Sequence, residues 1–386
     1  MNICVKVKIL IAPDKFKGAL SAREVAENIA KGIRDVLPDA SIEIMPVADG
    51  GEGTAEVIAE ALGGEWIACK AHDPLGREID ARYAWVDNRK LSVMEMSEAA
   101  GMRRLRPNEY DIDRANTFGV GEMILDAAKR GAQEIIIGLG GSATNDGGFG
   151  MARALGYRFL GSATGDELDC LKPSSLQELR GAVSEVVRLV RIEKQERLSL
   201  PRIIAAVDVQ NPLLGENGAT RVFGPQKGAK PEQIQELELA LGRLADIVEQ
   251  EFGSRYRDVP GAGAAGGLGF GVMSFCHGKV TPGFDVVAEL TGLEAKIQEA
   301  DVVITGEGSL DRQTLQGKTP AGVARMARKL RKRVFALVGR AGKDAEVSSL
   351  FDGVYENAQP NMTVEENMSR AAEFLQANAR SLAKVL

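Results

Sequence analysis

The sequence predicts an α/β protein: a discontinuous Rossmann-like parallel-sheet domain with a second α/β domain inserted. Three observations carry this. Both ends of the chain alternate apolar strand runs with amphipathic helical runs, the grammar of parallel βα units. A middle segment holds successive strand runs separated only by turns. At 386 residues the chain exceeds one ordinary core. The expected division is residues 1–64 with 284–386 for the Rossmann-like domain and 65–283 for the insert, with the active site in the cleft between them.

The elements follow in order. "VKILIAP" reads as a buried strand. In "SAREVAENIAKGIRDVLP", Ser21 and Glu24 have capping-box spacing, and Val25, Ile29, Ile33 and Val36 form one apolar stripe. "IEIMPVA" is a second strand and "TAEVIAEAL" a short helix. Between residues 65 and 99, "EWIACKA", "IDARYAWV" and "LSVMEM" are strand-like, with no room for helices between them, so antiparallel hairpins are expected. A helix near Val120–Lys129, the strand "EIIIG" and a helix to about Leu155 come next. Residues 180–200 have a helical period. "RIIAAVD" is a strand and "PEQIQELELALGRLADIVEQEF" an amphipathic helix. Near residue 300 the opening grammar returns: strand "ADVVITG", helix "TPAGVARMARKLRK" with Thr319 as its cap, then strands "RVFALVG" and "FDGVYE". Thr363 and Glu366 form a capping box for the last helix.

Composition narrows the function. Hydrophobic residues are 44% and charged residues 26%, as in a globular protein. A net charge of -6 argues against nucleic acid as a partner. No run reaches the roughly 18 apolar residues of a membrane span, and the first residues lack a cleavage site, so a cytoplasmic protein is expected. Cys4, Cys69, Cys170 and Cys276 lie far apart and read as buried thiols. The two histidines, His72 and His277, have no motif around them, which leaves a carboxylate as the expected general base.

Two glycine stretches stand out, "GLGGSATNDGG" at 138–148 and "GAGAAGGLGFG" at 261–271. The first resembles a dinucleotide fingerprint, but the acid that should follow, Asp166, sits in a loop-like segment. "GKT" at 317–319 is no P-loop, because Arg312 stands where the leading glycine belongs. The physics survives both exclusions: glycines let a backbone approach an anion, and a following helix adds its positive end. Gly138, Gly140 and Gly141, with Ser142, Thr144 and Asn145, are therefore expected to hold phosphate groups.

Acidic residues gather after the predicted strands: Asp14 with Lys15 and Lys17, Asp49 with Glu52, Glu307 with Asp311, and Asp208 with Asn211. The carboxyl ends of parallel strands carry ligand sites. Crowded carboxylates repel unless a cation offsets them, and Mg²⁺ binds through one or two carboxylates with phosphate oxygens.

The chain resembles the bacterial glycerate kinases of the first structural type. The resemblance rests on "IAPD-F-G-LSA-EVA--I--G", "VADGGEGT", "IIIGLGGSATNDGG-GM--ALGY-F", "DV-NPL-G--GA---FGPQKGA", "GAGAAGGLG-G" and "ITGEGSLD-QT--GKTP-GVA", in order from residue 11 to beyond 320. It implies transfer of the ATP γ-phosphate to D-glycerate with Mg²⁺, giving 2-phosphoglycerate. Within that chemistry Asp208 is expected to accept the acceptor hydroxyl's proton or to ligate Mg²⁺. Asp311 and Glu307 are assigned to metal or substrate. Lys17 and Lys318 neutralise phosphate or the glycerate carboxylate. Asp146 anchors the glycine loop or holds Mg²⁺ through water. Asp14, Asp49, Glu52 and Asn211 complete the substrate side. The expected partners are ATP and glycerate alone, with no nucleic acid and no membrane, in a monomer or homodimer. Lys15 stands where the family typically carries Ser, and Ser309 where a basic residue is common, which leaves open a kinase of another small hydroxy acid. A nicotinamide-dependent hydroxy-acid dehydrogenase and a sugar-binding protein are the rivals from other classes.

Overall fold

A computed structural model describes residues 6–161, 167, 168, 183, 186–194, 199–311, 318–342 and 344–386. Cys4, Asp166, Cys170, Arg312 and part of the 180–200 run lie outside them. The chain separates into two compact units. One comprises Met1–Asp49, Glu56–Leu62 and Pro282–Leu386; the other comprises Gly50–Ala55 and Gly63–Thr281. Among the described residues no helix is long and apolar enough to cross a membrane.

The first unit is built on a five-stranded sheet. From edge to edge its strands are Gly353–Glu356, Arg333–Val338, Val302–Thr305, Lys8–Ile11 and Ser41–Ile44. All neighbours are parallel. Ile9, Leu10, Ile11, Val303 and Ile304 are buried, as expected of strands covered on both faces. Counted along this unit's own chain the order is 2-1-3-4-5, a doubly wound arrangement. The order reverses between Lys8–Ile11 and Val302–Thr305, and ligands of such sheets bind outside the carboxyl ends at that reversal.

Its helices begin where the sequence places their caps. The Ser21 hydroxyl accepts from the Glu24 amide at 3.2 Å, and the Glu24 carboxylate accepts from the Ser21 amide at 2.8 Å. This box opens helix Ala22–Arg34, whose face of Val25, Ile29 and Ile33 is fully buried. Thr363 and Glu366 do the same for helix Val364–Ser369, which is not the last as expected: helix Ala371–Ala383 follows it. Thr319 differs from expectation. Lys318 is the N-cap of helix Thr319–Lys329, and Thr319 is the first helical residue, its hydroxyl engaged elsewhere.

The second unit carries a six-stranded sheet in the order Lys279–Pro282, Arg202–Val207, Glu134–Gly138, Leu91–Glu95, Glu78–Val86, Glu65–His72. The three runs read between residues 65 and 99 pair antiparallel. Leu91–Glu95, Glu134–Gly138 and Arg202–Val207 pair in parallel. Within the described part of 180–200, Val186–Arg188 is a short 3₁₀ helix, and the helical reading is corrected at Arg191–Glu193, a strand antiparallel to Arg158–Leu160. Ile192 inserts into the core while its charged neighbours face out, so a period of two outweighs the helical one. The second glycine stretch opens helix Ala264–Cys276, interrupted in its first turn by left-handed Ala265, Gly266 and Gly267.

Candidate active site

In the first unit, Asp14 lies just beyond the strand Lys8–Ile11, at the reversal of the sheet. Backbone bonds fix its position: Ala12 donates to Ile304 at 2.7 Å, and Asp14 to Gly306 at 2.8 Å. Val47 donates to Pro13 at 2.9 Å, which ties the loop after the neighbouring strand to the same edge. The Asp14 side chain is only 7% exposed. Its Oδ1 accepts from the Lys15 amide and its Oδ2 from the Thr319 hydroxyl, each at 2.7 Å. Burial pushes this carboxyl up to about 7, and the negative charge of Asp49 adds to the rise; Thr319 and Lys15 pull it back. An acid that titrates near neutrality has been assembled here from two predicted acids.

The remaining predicted residues of this unit are placed around it. Glu307 is buried in the loop after Val302–Thr305. Its neighbour Gly308 lies against Phe16 and Lys17, where an added Cβ would sit 3.5 Å from the Lys17 amide nitrogen. Lys17 itself is exposed, and Asp49, Asp311 and Lys318 are half-buried. Thr319 was not anticipated as a site residue; its hydroxyl reads as a cap until the fold brings Asp14 to it.

In the second unit, the glycine loop follows the strand Glu134–Gly138. What approaches its backbone so closely is other parts of the same unit, main chain at most positions and side chains at Gly141 and Gly147. A Cβ on Gly138 would lie 2.8 Å from the Gly50 carbonyl oxygen, and one on Gly140 would lie 2.5 Å from the Gly51 Cα. One on Gly141 would meet the Glu52 carboxylate at 2.6 Å. On the other side a Cβ on Gly148 would lie 2.8 Å from the Gly271 Cα, one on Gly267 would lie 2.8 Å from the Gly147 Cα, and one on Gly266 would overlap the Thr144 carbonyl oxygen. The glycine-rich segments 50–53, 138–148 and 261–271 therefore stack main chain on main chain. Packing within the protein thus accounts for many of these glycines. Gly140 and Gly141 form the accessible tip of the loop; Ser142, Thr144 and Asn145 are buried.

Asp146 holds the loop from within. Its Oδ2 accepts from the Thr117 amide and hydroxyl, both at 2.8 Å, and from the Gly150 amide at 2.9 Å; Oδ1 accepts from Gly148 at 3.1 Å. Burial pushes this carboxyl up, and these four donors oppose the rise. The anchoring role expected for Asp146 fits this geometry. The alternative as a Mg²⁺ ligand does not, because the donors already saturate a 1% exposed carboxylate.

Two further residues escaped the sequence reading. Lys227, 3% exposed, donates from Nζ to the Ser142 hydroxyl at 2.6 Å and to the Thr144 carbonyl at 2.8 Å. Burial pushes its ammonium down to about 7, against the pull of Asp146. The Glu95 carboxylate accepts from the Gly53 amide at 2.7 Å and the Ala55 amide at 3.2 Å, where helix Thr54–Leu62 begins. The lysine of "FGPQKGA" was visible as a motif, but nothing in its neighbours announces burial. Asn145 donates to the Thr220 hydroxyl at 2.9 Å. Asn211 shapes its own loop, donating to the Asn217 carbonyl at 2.8 Å and accepting from Gly263 at 2.9 Å. Asp208 is exposed, directly after the strand Arg202–Val207. Among the described residues no group of three or more His, Cys, Asp or Glu is arranged to hold a metal ion.

A doubly wound sheet with a buried acid at its reversal, joined to a second unit built on stacked glycine loops, defines a two-unit α/β enzyme. The chain belongs to the glycerate kinase family, whose model matches residues 9–386. A glycerate kinase of Halalkalibacterium halodurans is 39% identical over 379 residues, covering 98% of this chain and 97% of its own. A glycerate 2-kinase of Escherichia coli is 38% identical over 382 residues, 98% of each chain. A crystal structure assigned to a glycerate kinase 2 from Salmonella typhimurium LT2 superposes with a TM-score of 0.83 at 38% identity, over 98% of each chain. The protein is accordingly a phosphotransferase acting on an alcohol group, and the dehydrogenase and sugar-binding alternatives fall away.

Proposed function

We propose that this protein transfers the γ-phosphoryl group of ATP to the 2-hydroxyl of D-glycerate, with Mg²⁺. The observation that carries the reading is the buried Asp14, its carboxyl raised further by the charge of half-buried Asp49, at the sheet reversal of a glycerate kinase family chain. The position of transfer follows the Escherichia coli relative's name.

Phosphoryl transfer needs positioning and charge neutralisation more than covalent help. Asp14, with Asp49, Glu52, Glu307 and Asn211, takes the substrate side; Asp14 is set to share a proton with a substrate hydroxyl. Lys17 and Lys318 neutralise carboxylate or phosphate. The backbone of the tip Gly140–Gly141 approaches the nucleotide, and Ser142, Thr144 and Asn145 support it from below. Asp311, which is not enclosed as Asp146 is, would supply the hard oxygen donors that Mg²⁺ prefers, with Asp208 as the alternative ligand should it not act as the base, and one or two carboxylates suffice beside phosphate oxygens. When bound, the ion offsets phosphate charge. Asp208 accepts the acceptor hydroxyl's proton as transfer proceeds. ATP and glycerate are the only partners in this reading, which places a monomer or homodimer in the cytoplasm.

The test is ADP release from purified protein with ATP, Mg²⁺ and a panel of small hydroxy acids, with the product's phosphorus position assigned by NMR. Turnover with D-glycerate to 2-phosphoglycerate is expected; 3-phosphoglycerate would overturn the position. A different preferred hydroxy acid is the second reading, favoured by Lys15, whose amide and charge both act on Asp14.

A further inference from the structure

In the first unit, three neighbouring strands end in loops that lie against one another. Asp14 follows Lys8–Ile11, Glu307 follows Val302–Thr305, and Arg340 follows Arg333–Val338. The Gly339 amide donates to the Glu307 carbonyl and the Arg340 amide to the Gly308 carbonyl, each at 3.0 Å. Gly342 donates to Leu310 at 2.7 Å. A Cβ on Gly339 would overlap the Gly308 carbonyl oxygen, so the two main chains touch there. Arg340 is thereby carried on the same carboxyl edge as Asp14 and Glu307.

The contact has a fixed register. Ser309–Leu310 and Arg340–Ala341 form a short parallel pair, with Ser309 opposite Arg340. Paired residues project from the same face of a sheet. Leu310 is buried on one face, and Ser309 and Arg340 are exposed on the other. Strands lie about 4.8 Å apart, less than the length of an arginine side chain, so Arg340 can cover the space above Ser309. Ser309 is the position where the family commonly carries a basic residue. The Arg340 guanidinium has no hydrogen-bond or ion-pair partner among the described residues. The loops of this edge also bring Asp14, Asp49, Glu307 and Asp311, whose charges would repel an anionic substrate. A guanidinium offers what the ammonium groups of Lys17 and Lys318 do not: two parallel N–H donors that match a carboxylate.

We propose that Arg340 is a specificity-determining residue for the acceptor: it binds the carboxylate of the hydroxy acid and takes the place of the basic side chain absent at Ser309. This rests on the reading that the acceptor is a hydroxy acid.

Steady-state kinetics tests the role, using the acid of the hydroxy-acid panel that the native protein turns over best. A wrong assignment of the acid is then separate from a wrong role for Arg340. Arg340→Ser should raise the KM for that acid by about 10–100-fold, the range of a charge-assisted hydrogen bond, with the KM for ATP unchanged. Use of the corresponding uncharged amide should be unaffected. The double variant Ser309→Arg with Arg340→Ser returns the charge to the paired position and should recover most of the loss. Both positions are exposed, so the variants keep the fold, which a melting curve checks. An unchanged KM for the acid, a shift in the KM for ATP instead, an equal loss with the amide, or a folded double variant that recovers nothing would each overturn the proposal.

Discussion

The Thr319 hydroxyl donates to Asp14 Oδ2 across 2.7 Å, although 305 residues separate them in the chain. This bond ties the first turn of helix Thr319–Lys329 to the end of strand Lys8–Ile11, within one unit. It supports an acid whose burial is otherwise unfavourable.

Asp14→Asn separates function from stability. The Asp14 carboxyl titrates near 3.8 when unfolded and near 7 when folded. Its raised value means that its stabilising contribution is fully present below about 3.8 and is lost as pH rises through about 7. At pH 8 the native state bears a buried charge costing on the order of 2–4 kcal/mol, which Asn removes while keeping a hydrogen-bond acceptor. The variant should melt higher than the native enzyme at pH 8, with the difference shrinking toward pH 4, and its kcat should fall at least tenfold. A variant of unchanged kcat would remove Asp14 from the site. Lys15→Ser should raise the Asp14 value further and move the acidic limb of the kcat/KM profile to higher pH, because it deletes a nearby positive charge.

Lys227 carries the opposite sign. Its ammonium titrates near 10.5 when unfolded and near 7 when folded. Its contribution is present above about 10.5 and lost as pH falls through about 7, so native stability should rise between pH 7 and pH 9 by this route. Lys227→Met removes the buried charge but leaves the Thr144 carbonyl and Ser142 hydroxyl without this donor, at about 1–3 kcal/mol for each unmet group. The variant should be less stable at pH 9, and the gap to native should narrow toward pH 7. Parallel stability curves from chemical denaturation at the two pH values would contradict the burial argument.

The glycine contacts distinguish packing from backbone freedom. Gly140→Val should lower stability by at least about 2 kcal/mol, because the Gly51 main chain cannot yield as a side chain can. Gly266→Ala adds a Cβ against the Thr144 carbonyl at a positive φ of 65° and should fail to fold. Gly253, at φ 67° with nothing within 4 Å, is the control: its Ala variant should lose only about 1–2 kcal/mol, the left-handed strain alone. Thermal melts of the three rank them. Similar losses at Gly253 and Gly266 would remove the stacking account.

Asp208→Asn keeps shape and removes the base. A proton-accepting role predicts a fall in kcat of about 10²–10⁴-fold with ATP affinity unchanged. Partial recovery at high Mg²⁺ would assign the residue to the ion instead. Full activity with a lowered melting temperature would leave it as a loop residue.

Much of this molecule was legible in its sequence, because local physics acts within a few residues. Ser21 with Glu24 and Thr363 with Glu366 cap helices by contacts three residues apart, and neighbours suffice to specify them. Acids after several strand runs follow from strand period and turn chemistry, and the parallel βα grammar puts the loops of Asp14, Asp49 and Glu307 at one sheet edge. Tertiary structure alone decided what those residues meet. Thr319 is a cap by its neighbours and a carboxylate partner by its fold. Lys227 is an ordinary surface lysine by composition, and burial makes it the pin of the glycine loop. The loop's glycines announce that something comes close, but the sequence cannot say whether this is a ligand or more chain. The answer depends on segments 50–53 and 261–271, nearly a hundred or more residues away, and only packing brings those segments against the loop.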